Sequence, residues 1–129
     1  MTHMEKTQAL RADTTTHYNC AQAVLIPFAA EMGISEQQAN ALGAHFGAGM
    51  RHGSTCGAVT GALMVLGMLG YSDQQANALL RQVREGHGAL DCASLLRTAH
   101  EQGIAKKPHC DGMVFELVEA LDAILSQKA

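Results

Sequence analysis

The sequence predicts an all-α protein, a compact bundle of about six helices built around two helix-turn-helix hairpins. Three observations lead there. Alternating strand patterns are absent, and apolar residues recur at helical spacing along most of the chain. Two segments nearly repeat each other, "GISEQQANAL" from Gly33 to Leu42 and "GYSDQQANAL" from Gly70 to Leu79, 37 residues apart. Each begins with a glycine suited to the left-handed position that ends a helix. Each continues with a serine followed three residues later by a glutamine, the capping box that starts the next helix.

The elements follow in chain order. A short helix is expected near 4–12, then main helices over 19–32, 36–50, 55–69, 73–86, 91–101 and 109–126. Pro27 falls inside the first main helix, where its missing N–H and its ring should interrupt the hydrogen-bond ladder. Ala39, Leu42, Phe46 and Met50 share a face of the second, and the run from Ala58 to Leu69 is apolar all round, as expected of an enclosed helix. Gly57 and Gly61, with Ala58 and Ala62 beside them, would let a neighbouring backbone approach it closely. Ala76, Leu79, Leu80 and Val83 form the stripe of the fourth helix. Met113, Val114, Leu117, Val118, Leu121, Ile124 and Leu125 form the clearest stripe, on the last.

Composition bounds the function. At 129 residues and 47% hydrophobic the chain is one domain, taken as 1–129 with residues 1–16 at its periphery. A net charge of -3 with scattered basic residues leaves no footprint for nucleic acid or anionic lipid. Residues 53–72 carry no charged side chain, yet glycines and small polar residues interrupt them, so a buried helix is expected rather than membrane insertion. The start of the chain lacks the apolar core of a signal peptide, which sets the expectation of a cytoplasmic protein. A homodimer with a site shared between subunits is compatible with this sequence.

The chemistry lies in four cysteines, Cys20, Cys56, Cys92 and Cys110. In a reducing compartment these are free thiols, metal ligands or redox groups rather than permanent disulfides. No C-x-x-C knuckle is present. Instead Asn19, Thr55 and Asp91, all good N-cap residues, immediately precede three of them, and Pro108 and His109 precede the fourth. Each cysteine is thus expected in the first turn of a helix, where free N–H donors and the positive end of the dipole stabilise a thiolate or an anionic cluster. The hairpins could bring all four to one end of the bundle.

These residues resemble the redox-active protein family labelled C_GCAxxG_C_C. "NCAQAV" around Cys20, "GSTCGAVTGALMVLG" from Gly53 to Gly67, "LDCASLL" around Cys92 and "HCDGMV" around Cys110 occur in order, covering residues 17–120. The central motif runs Cys56, Gly57, Ala58 and then Gly61; the label transposes its first two letters. The resemblance implies a small helical protein whose four cysteines do redox work. Similar cysteine-bearing helical segments in split-Soret cytochromes hold an iron–sulfur cluster of the 2Fe-2S type. This chain lacks the C-x-x-C-H haem motif, so only the non-haem part of that comparison carries over.

Three readings follow. In the first, Cys20, Cys56, Cys92 and Cys110 ligate a 2Fe-2S cluster for electron transfer to an unknown redox partner, with backbone N–H groups around Gly57 tuning it. In the second, a cluster-free thiol-disulfide oxidoreductase or peroxide-reactive enzyme uses Cys56 as its reactive thiol, with another cysteine resolving it. The third is a structural zinc module. His52 and His109 lie near Cys56 and Cys110 but read as ordinary polar or capping residues. His45 and His52 lack a third ligand and are assigned no metal, and Met64 and Met68 read as core filling.

Overall fold

The structure, a computed structural model, describes residues 1–127 of the chain; the last two residues of the expected domain lie outside the described residues. Eight α-helices follow in order: α1 His3–Ala12, α2 Cys20–Leu25, α3 Ala29–Met32, α4 Glu36–Gly43, α5 Gly57–Met68, α6 Asp73–His87, α7 Cys92–Glu101 and α8 Lys106–Gln127. No strand occurs among the described residues, and one isolated bridge joins Thr55 to Asp91.

The two repeated junctions behave as their residues dictate. Gly33 and Gly70 are left-handed, with φ of 74° and 78°. Ser35 caps α4 by accepting the Gln38 amide at 3.0 Å, and Ser72 caps α6 by accepting the Gln75 amide at 3.3 Å. Pro27 interrupts the first main helix as expected, placing a 3-10 turn over Ile26–Phe28 between α2 and α3. Asn19 caps α2 through the Gln22 amide at 2.8 Å.

The core forms where α2, α5 and α8 meet. In α2 the residues Ala21, Ala23, Val24 and Leu25 are wholly buried. Gly61 on α5 makes this closeness feasible, because a Cβ there would stand 3.1 Å from the Ala21 carbonyl oxygen. On α8 the stripe of Met113, Val114, Leu117, Val118 and Leu121 closes over both helices. Burying each of the larger side chains contributes about 1.5–3 kcal/mol. α1 crosses the outside of this core, with Thr7 buried and its hydroxyl donating to the Ala23 carbonyl at 3.3 Å.

Three expectations are corrected. The helix expected over 36–50 stops at Gly43, because the Asn19 side-chain amide donates to the Gly43 and Ala44 carbonyls at 3.0 and 3.3 Å and takes over its C-terminal end. Leu42 accordingly stays 45% exposed. The last helix begins at Lys106 rather than 109. Pro108 then sits in its first turn, where a missing N–H breaks no intrahelical bond. At the outer end of α5 Met68 is 53% exposed, so it fills no core, while Met64 is half-buried.

Candidate functional site

All four cysteines line one cavity of about 130 Å³, together with Arg11, Lys106 and His109. The local structure that brings them there differs from cysteine to cysteine. Cys20 and Cys92 are the first residues of α2 and α7, as their capping residues Asn19 and Asp91 lead one to expect; Asp91 accepts the Ser94 amide at 2.9 Å. Cys56 is itself the residue that caps α5, so Thr55 does not cap it. Cys110 lies in the second turn of α8, not the first, because that helix starts one turn early.

Thr55 instead pairs with Asp91 in the isolated bridge. The Cys56 amide donates to the Leu90 carbonyl at 2.9 Å, and the Cys92 amide donates to the Ser54 carbonyl at 2.7 Å. Two cysteines 36 positions apart are thereby held in register. The chain between α4 and α5 reaches this register through a left-handed turn, with φ of 52° at Ala48, 62° at Gly49, 57° at Met50 and 70° at Arg51. Non-glycine residues in that region cost about 1–2 kcal/mol each. The turn persists because the Ser54 amide closes it onto the Gly49 carbonyl at 2.8 Å. Gly49 tolerates no side chain, since a Cβ would lie 2.3 Å from Ser54 O and 2.7 Å from the Cys92 Cβ.

Gly57 explains the small residues around Cys56. A Cβ there would meet the Phe46 carbonyl oxygen at 2.8 Å and the Cys20 Cβ at 3.3 Å. The α2 N-terminus can approach Cys56 only because nothing projects from Gly57.

The four sulfurs differ in their electrostatics, and two of them pair. Cys20 hydrogen-bonds to the Cys110 sulfur. That bond, followed by burial and the nearby Cys110 and Cys56 sulfurs, pushes the Cys20 thiol well above its ordinary range. The same bond holds Cys110 down at about 6; burial opposes this, and the charges of Arg11 and Lys106 reinforce it. Burial raises the Cys56 thiol, although the Ala58 and Val59 amides face the sulfur and partly offset the shift without closing a regular cap. Burial also raises Cys92, with the Cys110 sulfur adding to the shift. The expected lowering at every helix start therefore fails at Cys20, where the bond to Cys110 and then burial outweigh the dipole, and at Cys56 and Cys92, where burial does so first.

Among the described residues no three His, Cys, Asp or Glu side chains stand close enough to hold one metal ion. His109 lines the cavity, held neutral more firmly than usual by burial and then by the His87 charge, whereas His52 is exposed and His45 bonds Arg51 at 3.3 Å. Arg11 was not singled out by the sequence. It sits in the last turn of α1, and only a tertiary ion pair to Asp111, across 100 residues of chain, places it in the cavity wall.

Fold and site together define an all-α protein organised around a four-cysteine centre. The chain belongs to the family described as "Putative redox-active protein (C_GCAxxG_C_C)", which it matches over residues 18–124. No curated protein and no solved structure matches it. No helix among the described residues is long and apolar enough to cross a membrane.

Proposed function

We propose that this redox-active protein is a small cytoplasmic electron carrier in which Cys20, Cys56, Cys92 and Cys110 hold a 2Fe-2S cluster. The observation that supports it is the convergence of four sulfurs from four separate helices on one cavity. Such a cluster takes four cysteine ligands, the number of sulfurs that line this cavity. A structural zinc site, which needs four donors around one ion, is supported less well. In this reading the cluster supplies one-electron storage, at a potential set by its charge and by hydrogen bonds to its sulfurs.

The chain's own residues do the rest. Cys20, Cys56, Cys92 and Cys110 would together supply the ligand set. The Ala58 and Val59 amides face the Cys56 sulfur and moderate its charge. Arg11 and Lys106 counter the negative charge of four thiolates. Gly57 leaves the space that a side chain would fill.

The Cys20–Cys110 contact favours a second reading, thiol–disulfide exchange without a cluster. The Cys110 thiolate attacks one sulfur of a disulfide substrate and displaces the other as a thiolate. Cys20 then displaces the substrate from Cys110, leaving a Cys20–Cys110 disulfide and two substrate thiols, so the substrate gains the two electrons that the cysteines lose. Cys110 suits the attacking role better than Cys56, whose thiol is buried and pushed up.

Anaerobic reconstitution with ferrous iron and sulfide separates the two. The cluster reading expects a visible absorption spectrum and about two irons and two acid-labile sulfides per chain. A colourless, iron-free protein after reconstitution sinks it. If that protein also forms a Cys20–Cys110 disulfide with a small disulfide oxidant, the exchange reading stands in its place.

A further inference from the structure

Arg11 has an unusual position for a surface-helix arginine. Its side chain is only 8% exposed, and a guanidinium withdrawn that far from water is costly unless neighbours compensate it. Two groups do so: Nε donates to Asp111 Oδ1 at 2.6 Å, and Nη1 donates to the Tyr18 carbonyl at 2.9 Å. Asp111, however, is shared. The Lys107 ammonium donates to the same carboxylate at 2.9 Å, so two cations divide one anion, and Lys106 stands one turn before Cys110 with no carboxylate partner among the described residues. Both lysines are exposed to solvent, whereas the buried Arg11 lines the wall of the cavity that holds Cys20 and Cys110 and lies close enough for its charge to act on both sulfurs.

A purely structural cross-link would not require this. A buried Arg–Asp pair rarely outperforms an apolar pair of similar volume in stabilising a fold. The fixing of α1 to the bundle is also distributed elsewhere. His3 bonds Asp122 at 2.6 Å and Glu31, and stacks on Phe28 with ring centroids 3.9 Å apart, while Lys6 pairs with Glu36 at 2.6 Å. These contacts hold α1 at its far end, and Arg11 lines the cysteine cavity at the near end.

We propose that Arg11 is the tuning residue of the cysteine centre, holding its reduction potential up by setting a buried positive charge against Cys20 and Cys110. The proposal rests on the redox reading above and takes the same sign for either couple. A centre that gains negative charge on reduction, whether a cluster or a disulfide giving thiolates, is favoured in its reduced form by a fixed nearby cation. The Arg11 side chain is itself largely withdrawn from solvent, so its charge is screened less than that of an exposed cation.

The test is the reduction potential of the reconstituted or dithiol protein at one fixed pH, with far-UV circular dichroism as the check on folding. Arg11→Gln should lower the reduced-to-oxidised ratio about tenfold at a given applied potential, which is 59 mV for a one-electron couple. Arg11→Lys, which restores charge but not the forked hydrogen bonds, should recover most of that shift. Asp111→Asn removes the opposing charge and should move the potential upward, which keeps the proposal testable should Arg11→Gln fail to fold. An unchanged potential in Arg11→Gln, or an equal fall in Arg11→Lys, would overturn the role of Arg11 while leaving the redox reading intact. A wild-type protein with no measurable couple would sink both.

Discussion

The two walls of the cysteine cavity are built in opposite ways. Cys56 and Cys92 are pinned through their backbones: reciprocal amide-to-carbonyl bonds around the Thr55–Asp91 bridge fix both residues, and a strained left-handed turn closes behind them. Cys20 and Cys110 are placed by helix packing, meet through their sulfurs, and face Arg11 and Lys106. Cys110 also borders a neighbouring, more open hollow lined by His17 and Lys107. One wall is rigid with protonated thiols; the other is cationic with an ionised one. Position is supplied chiefly by the first and reactivity by the second.

The largest expected effect falls on the rigid wall. Gly49→Ala places a Cβ against Ser54 and Cys92 at a positive φ, and should destabilise the protein by about 3 kcal/mol or more in urea unfolding. A loss under 1 kcal/mol would mean that the turn is not what holds the two cysteines in register.

Next comes the contrast in thiol ionisation, measured on metal-free protein under reducing conditions. Alkylation by iodoacetamide should strike Cys110 first, its rate rising through about pH 6 while Cys56 and Cys92 stay protonated well above it. Cys20→Ala removes the hydrogen bond that does most to hold Cys110 down. A return of Cys110 toward about 8.5 would cut its rate at pH 7 by about thirtyfold. Stability should follow the same division. Between about pH 6 and 8.5 the unfolded chain keeps a proton at position 110 that the folded chain has released, so stability rises with pH. Above that range unfolding lets Cys56 and Cys92 ionise while the fold keeps them protonated, so stability falls. A monotonic fall from pH 6 upward would contradict the assignment of the ionised thiol.

The smallest effect tests how much the helix cap adds to the bridge. Asp91→Ala loses the 2.9 Å bond from the Ser94 amide but leaves the backbone bonds of Cys92 in place, so it should cost about 1 kcal/mol. A cost several times larger would show that the cap, not the bridge, positions Cys92.

Much of this was legible in the sequence because it depended on local chemistry. The Gly-x-Ser junctions, the interruption at Pro27, the caps at Asn19 and Asp91, and the α8 stripe each follow from residues a few positions apart. The repeat that sets two hairpins side by side made the approach of Cys20 and Cys56 legible, while Cys92 and Cys110 join them through helices outside the repeat. The failures share the opposite property. That Asn19 would end α4 depends on a contact across 24 residues, and the Thr55–Asp91 bridge spans 36 positions with no strand pattern to announce it. The ion pair that makes Arg11 part of the site spans 100. The electrostatic reading missed for a further reason: helix-start position was visible, but the Cys110 bond that raises Cys20 and the burial that raises Cys56 and Cys92 are properties of the assembled cavity.

The central claim is that four cysteines make one site. Iron content after reconstitution, measured in parallel for Cys20→Ala, Cys56→Ala, Cys92→Ala and Cys110→Ala, tests it most directly. The account predicts that each variant falls to a small fraction of the wild-type iron and loses the visible spectrum. Full iron retained by the two variants of either wall would contradict it, because the cluster would then be held without the pair that wall contributes.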